Sequence, residues 1–421
     1  MLALSPLLVF VALYLGTSLL AGDFYKMPIS VAFLAASVYA VAISGGMPFK
    51  QRVATFSHGA STENVIQMLW IFVLAGAFAH TARETGCIDA TVSLALQILP
   101  EQMLMAGLFL GACFISLSIG TSVGTIVALT PIATGIAQST ETSLPLLVAL
   151  VVGGSLFGDN LSFISDTTIA ATSTQGCRQS DKFKVNSFIV VPSALLTLLL
   201  YTFMGHQLHA PQELGEVDYV KVLPYLVVLL TALIGINVLA VLTLGIVVCG
   251  VIGLATGSFD GYGWLQSMNT GILSMGELII ITMLASGLLE VVAAGGGIKW
   301  LIDRMTRHIN GKRGAELCIA TLVGCVNLCT ANNTVAILTV GGIAKTIGEC
   351  FGVDARKCAS ILDTMSCCVQ GTIPYGAQIL MAAGLASINP VSILPYLYYP
   401  LITGVATIMA ILVDIHKQHS P

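Results

Sequence analysis

Apolar runs close to the thickness of a bilayer recur along this chain, at 2–21, 27–45, 64–82, 145–175 and 186–205, and again at 221–235, 238–256, 276–293, 358–387 and 391–414. Roughly 20 apolar residues carry an α-helix across the hydrocarbon core. Inside lipid every backbone polar group must be satisfied internally, which leaves helices as the use for runs of this length. Charged residues are 9% of the chain against 56% hydrophobic, too few to cover a water-soluble surface. The expected class is an all-α polytopic membrane protein whose surroundings are the lipid bilayer, with no nucleic-acid partner. The run 2–21 has neither a basic n-region nor a small-residue cleavage pattern, so it reads as a retained helix. Eleven cysteines, among them Cys113, Cys249, Cys318, Cys325 and Cys329, lie mostly in apolar segments and form no CxxC or Cys/His cluster. They read as packing residues, with no structural metal and no cofactor expected.

Shifting the sequence by 211 residues superposes its landmarks. Met27 falls on Val238, Gly86 on Gly297, residues 118–137 on 329–348, and the polar stretch 158–166 near 369–376. The chain is therefore expected to hold two halves, 1–205 and 221–421, joined by an extracytoplasmic linker at 206–220. In each half a short amphipathic helix (88–99, 298–309) precedes two apolar arms of about fifteen residues (103–138, 315–350), read as a re-entrant hairpin because such arms fall short of a full crossing. Five crossings per half is an odd number, so the halves would run in opposite senses, as an inverted repeat. Basic residues agree with a cytoplasmic N-terminus. Thirteen fall in inner loops (Lys50, Arg52, Arg178, Lys182, Lys184, Lys299, Arg304, Arg307, Lys312, Arg313, Arg356, Lys357, Lys417) and three in outer ones (Lys26, Arg83, Lys221), with Lys345 in the second hairpin.

Two spans are interrupted by polar residues. In the fourth, "GDNLSFISDTT" (158–168) follows a half-helix expected at 146–156, and Ser165-Asp166-Thr167-Thr168 reads as the capped start of another. Broken spans place half-helix ends at the midplane, where N–H groups meet anions and C=O groups meet cations. Asp159, Asp166 and Asp363 fall in or beside spans, with Glu277 and Glu290 near span ends, and no Lys or Arg is expected in a full span to neutralise them. A buried carboxylate needs a partner. A mobile cation supplies one, and Na⁺ suits carboxylate, hydroxyl, amide and carbonyl oxygens. The same carboxylates can take H⁺ instead, so the candidate ion and proton ligands are Asp159, Asp166, Asn160, Ser162, Ser165, Thr167 and Asp363. Hairpin tips at Thr121-Ser122 and Asn332-Asn333-Thr334 would close the site. The second interruption, "QGTIPYGAQ", offers neutral ligands in Gln370, Thr372, Tyr375 and Gln378. Structural readings stand beside these, with Asp166 as a helix cap and Asp363 in a hydrogen-bonding role.

"GDNLSFISDTT", with "ANNT" and "GTIPYGAQ", resembles the signature of the NhaC-type sodium/proton antiporters. The hairpin and broken-helix plan is similar to that of the wider ion-transporter superfamily, which includes dicarboxylate/sodium symporters. The chain carries Asn160 and Phe163 where many members have Lys and Pro. The resemblance implies a secondary transporter of a bacterial inner membrane, with both termini cytoplasmic, exchanging Na⁺ for H⁺ by alternating access. An alternative is sodium- or proton-coupled transport of a small organic acid or amino acid, and a homodimer is left open. An intramembrane hydrolase using Asp159 and Asp166 is disfavoured because no substrate motif accompanies them.

Overall fold

The computed structural model describes residues 2–21, 27–45, 48–98, 100, 103–163, 165–205, 217–234, 236–306 and 309–413. Most of the expected linker, 206–216, lies outside them, as do Lys26, Arg307 and Lys417. Every regular element among the described residues is helical. The first stretch holds α1 (Ser5–Ala21), α2 (Ile29–Ile43), α3 (Phe49–Ala60), α4 (Glu63–Thr85), α5 (Cys87–Ile98), α6 (Leu104–Ile119), α7 (Ser122–Ser139), α8 (Leu144–Leu161), α9 (Asp166–Gln175) and α10 (Gln179–Gly205). The second holds α11 (Tyr219–Leu233), α12 (Val238–Ala255), α13 (Gly261–Ser274), α14 (Gly276–Ala294), α15 (Gly297–Thr306), α16 (Gly311–Thr330), α17 (Asn333–Phe351), α18 (Ala355–Gln370), α19 (Ala377–Ala386), α20 (Pro390–Ile393) and α21 (Tyr398–Val413). Ser122 and Asn333, Leu144 and Ala355, Asp166 and Ala377, and Gln179 and Pro390 each open a helix at the 211-residue spacing.

By length and composition seven of the described helices can cross a membrane, or eight if the bent pair Ala377–Ala386 and Pro390–Tyr396 counts as one span. Ten were expected. Part of the shortfall lies in α2, α11 and α21, which stop at 15, 15 and 16 residues. The hairpin arms run the other way: α6 and α7 have 16 and 18 residues, and α16 and α17 have 20 and 19, longer than the expected fifteen. Two further helices, α3 and α13, were not anticipated; α3 is too polar and α13 too rich in Gly, Ser and Asn to show an apolar run.

α8 does not end at Leu156. It continues through Gly153, Gly154 and Gly158 to Leu161. These glycines are spent on packing, since a Cβ at Gly158 would overlap Ser116 of α6 and one at Gly154 would stand 2.6 Å from the Ala112 side chain. The Ser116 hydroxyl donates to the Ser155 carbonyl across the same seam. The chain then breaks, and Ser165 caps α9 by accepting from the Thr168 N–H at 3.2 Å. The second break separates Gln370 from Ala377.

Each helix that follows a break packs away from its own hairpin. α9 lies against α17 and α18, and α19 lies against α7 and α8. Two apolar cores reflect this exchange: a large one built from α1, α2, α4 to α8, α10 to α12, α14 and α19, and a second joining α9 to α16, α17 and α18.

Candidate functional site

Five helices begin on the wall of one cavity of about 310 Å³: α7 at Ser122, α9 at Asp166, α12 at Val238, α17 at Asn333 and α19 at Ala377. Helix N-termini carry unsatisfied N–H groups and the positive end of the macrodipole. Their convergence offsets negative charge there, which is how carboxylates are tolerated on the wall of this cavity. Both tips reverse direction through one left-handed residue, Gly120 at φ 74° and Ala331 at φ 50°. Asn332 caps α17 by accepting from the Val335 N–H at 3.0 Å.

Asp159 and Asp166 both line the cavity. Asp159 is 5% exposed, and its Oδ1 accepts from the Ser122 N–H at 3.1 Å, so the α7 N-terminus holds it directly. Asp166, the first residue of α9, is exposed, and among the described residues nothing donates to its carboxylate. Thr167, Thr121, Ser122, Asn332, Asn333, Thr334, Gln370 and Gln378 share the wall. Neutral amides tie the tips together across it. Gln378 Nε2 donates to Ser122 Oγ at 3.0 Å, Gln370 Nε2 donates to Gln378 Oε1 at 2.8 Å, and the same Nε2 donates to the Ala331 carbonyl at 3.0 Å.

Other expected ligands are turned elsewhere. Asn160 Nδ2 donates to the Tyr399 hydroxyl at 3.0 Å. Ser162 is buried at the end of α8 and Ser165 is occupied as the cap; neither lines the cavity. Thr372 donates to the carbonyls of Cys368 and Val369 within its own turn. The Tyr375 hydroxyl donates to the Leu328 carbonyl at 2.7 Å, with its ring edge-on to Phe10 and Phe33.

The carbonyls at the end of α8 are already engaged. That of Asp159 accepts from Ser165 Oγ at 2.8 Å and Thr167 Oγ1 at 2.9 Å. That of Asn160 accepts from Lys182 Nζ and Asn186 Nδ2, both at 2.9 Å. Lys182 therefore corrects its assignment to an inner loop. It lies inside α10, 1% exposed, and its Nζ stands 2.7 Å from Oδ2 of the fully buried Asp363. Asp363 has a resident cation, away from the cavity wall, and a mobile one is not needed to neutralise it. Lys357 is a second buried lysine, paired with Glu316 at 2.8 Å.

The family of Na⁺/H⁺ antiporters matches residues 1–206 and 214–416. The chain belongs to that family. Among similar proteins, the antiporter is 24% identical to the Na⁺/H⁺ antiporter NhaC of Bacillus subtilis over 90% of each chain. It is 23% identical to the NhaC of Alkalihalophilus pseudofirmus over 82% of this chain and 81% of that one. A malate-2H⁺/Na⁺-lactate antiporter of Bacillus subtilis is 20% identical over 93% of this chain and 89% of that one.

The antiporter's cavity also holds residues that sequence reasoning passed over, Gln67 of α4 and Asn237 before α12. Gln67 is an amide inside an apolar span, a signal that was available. Asn237 sits where an apolar run begins and resembles an ordinary cap, a role it also fills by accepting from the Leu239 N–H at 2.9 Å. Lys182 had a signal too. Lys182, Asn186, Ser193 and Thr197 recur at helical spacing and are all buried, a polar stripe that extends α10 back past the last charge.

Proposed function

We propose that the antiporter exchanges Na⁺ for H⁺ at the two cavity carboxylates, Asp166 and Asp159, with Thr167, Thr121 and Ser122 supplying neutral oxygens and Asn332, Asn333 and Thr334 closing the opposite wall. The observation that carries this reading is Asp166: a carboxylate without a donor, facing a cavity built from both hairpin tips and both breaks. A Na⁺ there is bound by oxygen ligands, and a proton on the same carboxylate removes its charge, so the two compete for one place.

The arrangement of the chain in the membrane belongs to this proposal. Residues 1–205 and 221–421 form an inverted repeat of five crossings each, with 206–220 outside, both termini cytoplasmic, and the protein in a bacterial inner membrane. The shared helix starts at a 211-residue spacing and the reciprocal packing of α9 and α19 support it. Alternating access then follows from displacement of the hairpin-bearing core against the outer helices.

The test is ²²Na⁺ uptake into liposomes carrying the purified protein, driven by an imposed pH gradient. Wild type accumulates Na⁺, and Asp166→Asn falls to the level of protein-free liposomes. Uptake by Asp166→Asn equal to wild type rules this site out. A second reading is favoured by the five converging N-termini, which attract anions as well as holding carboxylates. In it a small organic carboxylate travels with the cation. Accumulation of a labelled hydroxy acid that requires Na⁺, with no proton-coupled Na⁺ movement in its absence, would establish the second reading and displace the first.

A further inference from the structure

The ammonium of Lys182 sits in an oxygen cage that has the composition of a cation site. Asp363 Oδ2 lies at 2.7 Å, Thr168 Oγ1 at 2.6 Å and the Asn160 carbonyl at 2.9 Å, one carboxylate, one hydroxyl and one backbone oxygen. These are the oxygen types that hold hard monovalent and divalent cations. Asn186 Nδ2 also bridges two of these oxygens, the Asn160 carbonyl at 2.9 Å and Asp363 Oδ2 at 2.8 Å, and so ties them together independently of the ammonium. Asn186 Oδ1, on the same amide, is buried with no hydrogen-bond partner among the described residues. All three donors of the ammonium are used, and Lys182, Asp363 and Asn186 are each at most 1% exposed.

We infer that Lys182 sets the ion stoichiometry of the exchange: its side chain is a tethered cation that permanently fills a second monovalent-cation site, leaving only the Asp159/Asp166 place for Na⁺. The second site is made by Asp363, Thr168 and Asn160, behind the broken helix and off the cavity wall. This rests on the reading of Asp159 and Asp166 as the Na⁺ site. Its own content is the count of ions, since removal of the tether opens a place that Na⁺ fits.

Equilibrium binding of ²²Na⁺ to the purified full chain at alkaline pH reads that count directly. Wild type binds one Na⁺, Lys182→Ala binds two with a steeper concentration dependence, and Lys182→Ala/Asp363→Asn returns to one. Lys182→Ala leaves a buried carboxylate unpaired, so its thermal stability is measured in NaCl and in choline chloride as well. Na⁺ raises its melting temperature more than it raises that of wild type, because ligand binding to the folded state alone is stabilising. A Lys182→Ala variant that binds no more Na⁺ than wild type overturns the inference. So does one that no concentration of Na⁺ recovers in folded form while the double variant folds. If wild type binds no Na⁺, the Asp159/Asp166 reading fails, and the difference between Lys182→Ala and wild type still decides the cage.

Discussion

A carboxylate inside a bilayer is held by whatever positive charge reaches it, and the three aspartates of this antiporter are held in three ways. Asp363 has the Lys182 ammonium at 2.7 Å. Asp159 has the Ser122 N–H at the start of α7. Asp166 has only its place at the head of α9, and that leaves it open to a mobile ion. A proton and a Na⁺ competing there give a definite pH dependence. In the proposed site it is the ionised carboxylate that takes Na⁺, so the expected affinity is full at alkaline pH and falls as the pH drops through its titration, by up to about tenfold per pH unit for one proton against one ion. Binding of ²²Na⁺ measured from about pH 6 to 9 checks this, and a flat profile contradicts a shared site. Asp159 and Asp166 were legible from residue type alone, because two acids in an apolar run demand an explanation. Asp363 was visible in the same way, but its partner was not: a lysine four residues ahead of the apparent start of a span looks like a loop residue until the polar stripe from Lys182 to Thr197 is seen to be internal.

At the scale of helices, the broken fourth span shows where composition misleads. Gly153, Gly154 and Gly158 look like helix breakers, yet α8 runs through all three, because glycine in a membrane helix more often marks close approach to a neighbour than an end. What stops α8 is the stretch after Leu161, where Ser165 and Thr167 turn back onto the Asp159 carbonyl. Gly158→Ala drives a methyl into Ser116 of α6, and overpacking of this kind costs about 1 to 3 kcal/mol. The expected outcome is a lower melting temperature in detergent, which Ser116→Gly does not relieve, because the added methyl overlaps the Ser116 backbone carbon as well. The pairing of hairpin tips with breaks was readable from the two polar interruptions. The amide bridge Ser122–Gln378–Gln370 that joins them was not, since residues 122 and 378 have no relation that a linear sequence displays.

For the molecule as a whole, the proposed orientation makes a sided prediction. In a background without the native cysteines, Lys312→Cys is modified by a membrane-impermeant maleimide only from the cytoplasmic face and Arg83→Cys only from outside; the reverse pattern inverts the topology. The reciprocal packing of α9 into the second hairpin and α19 into the first means that neither broken span is complete until both stretches of chain are in place. The Lys182 ion pair carries the same dependence into biogenesis. Residue 182 is translated before residue 363, so for the time it takes to translate the intervening chain the ammonium waits without its carboxylate. A product truncated before residue 363 never acquires that carboxylate and keeps an uncompensated ammonium on α10.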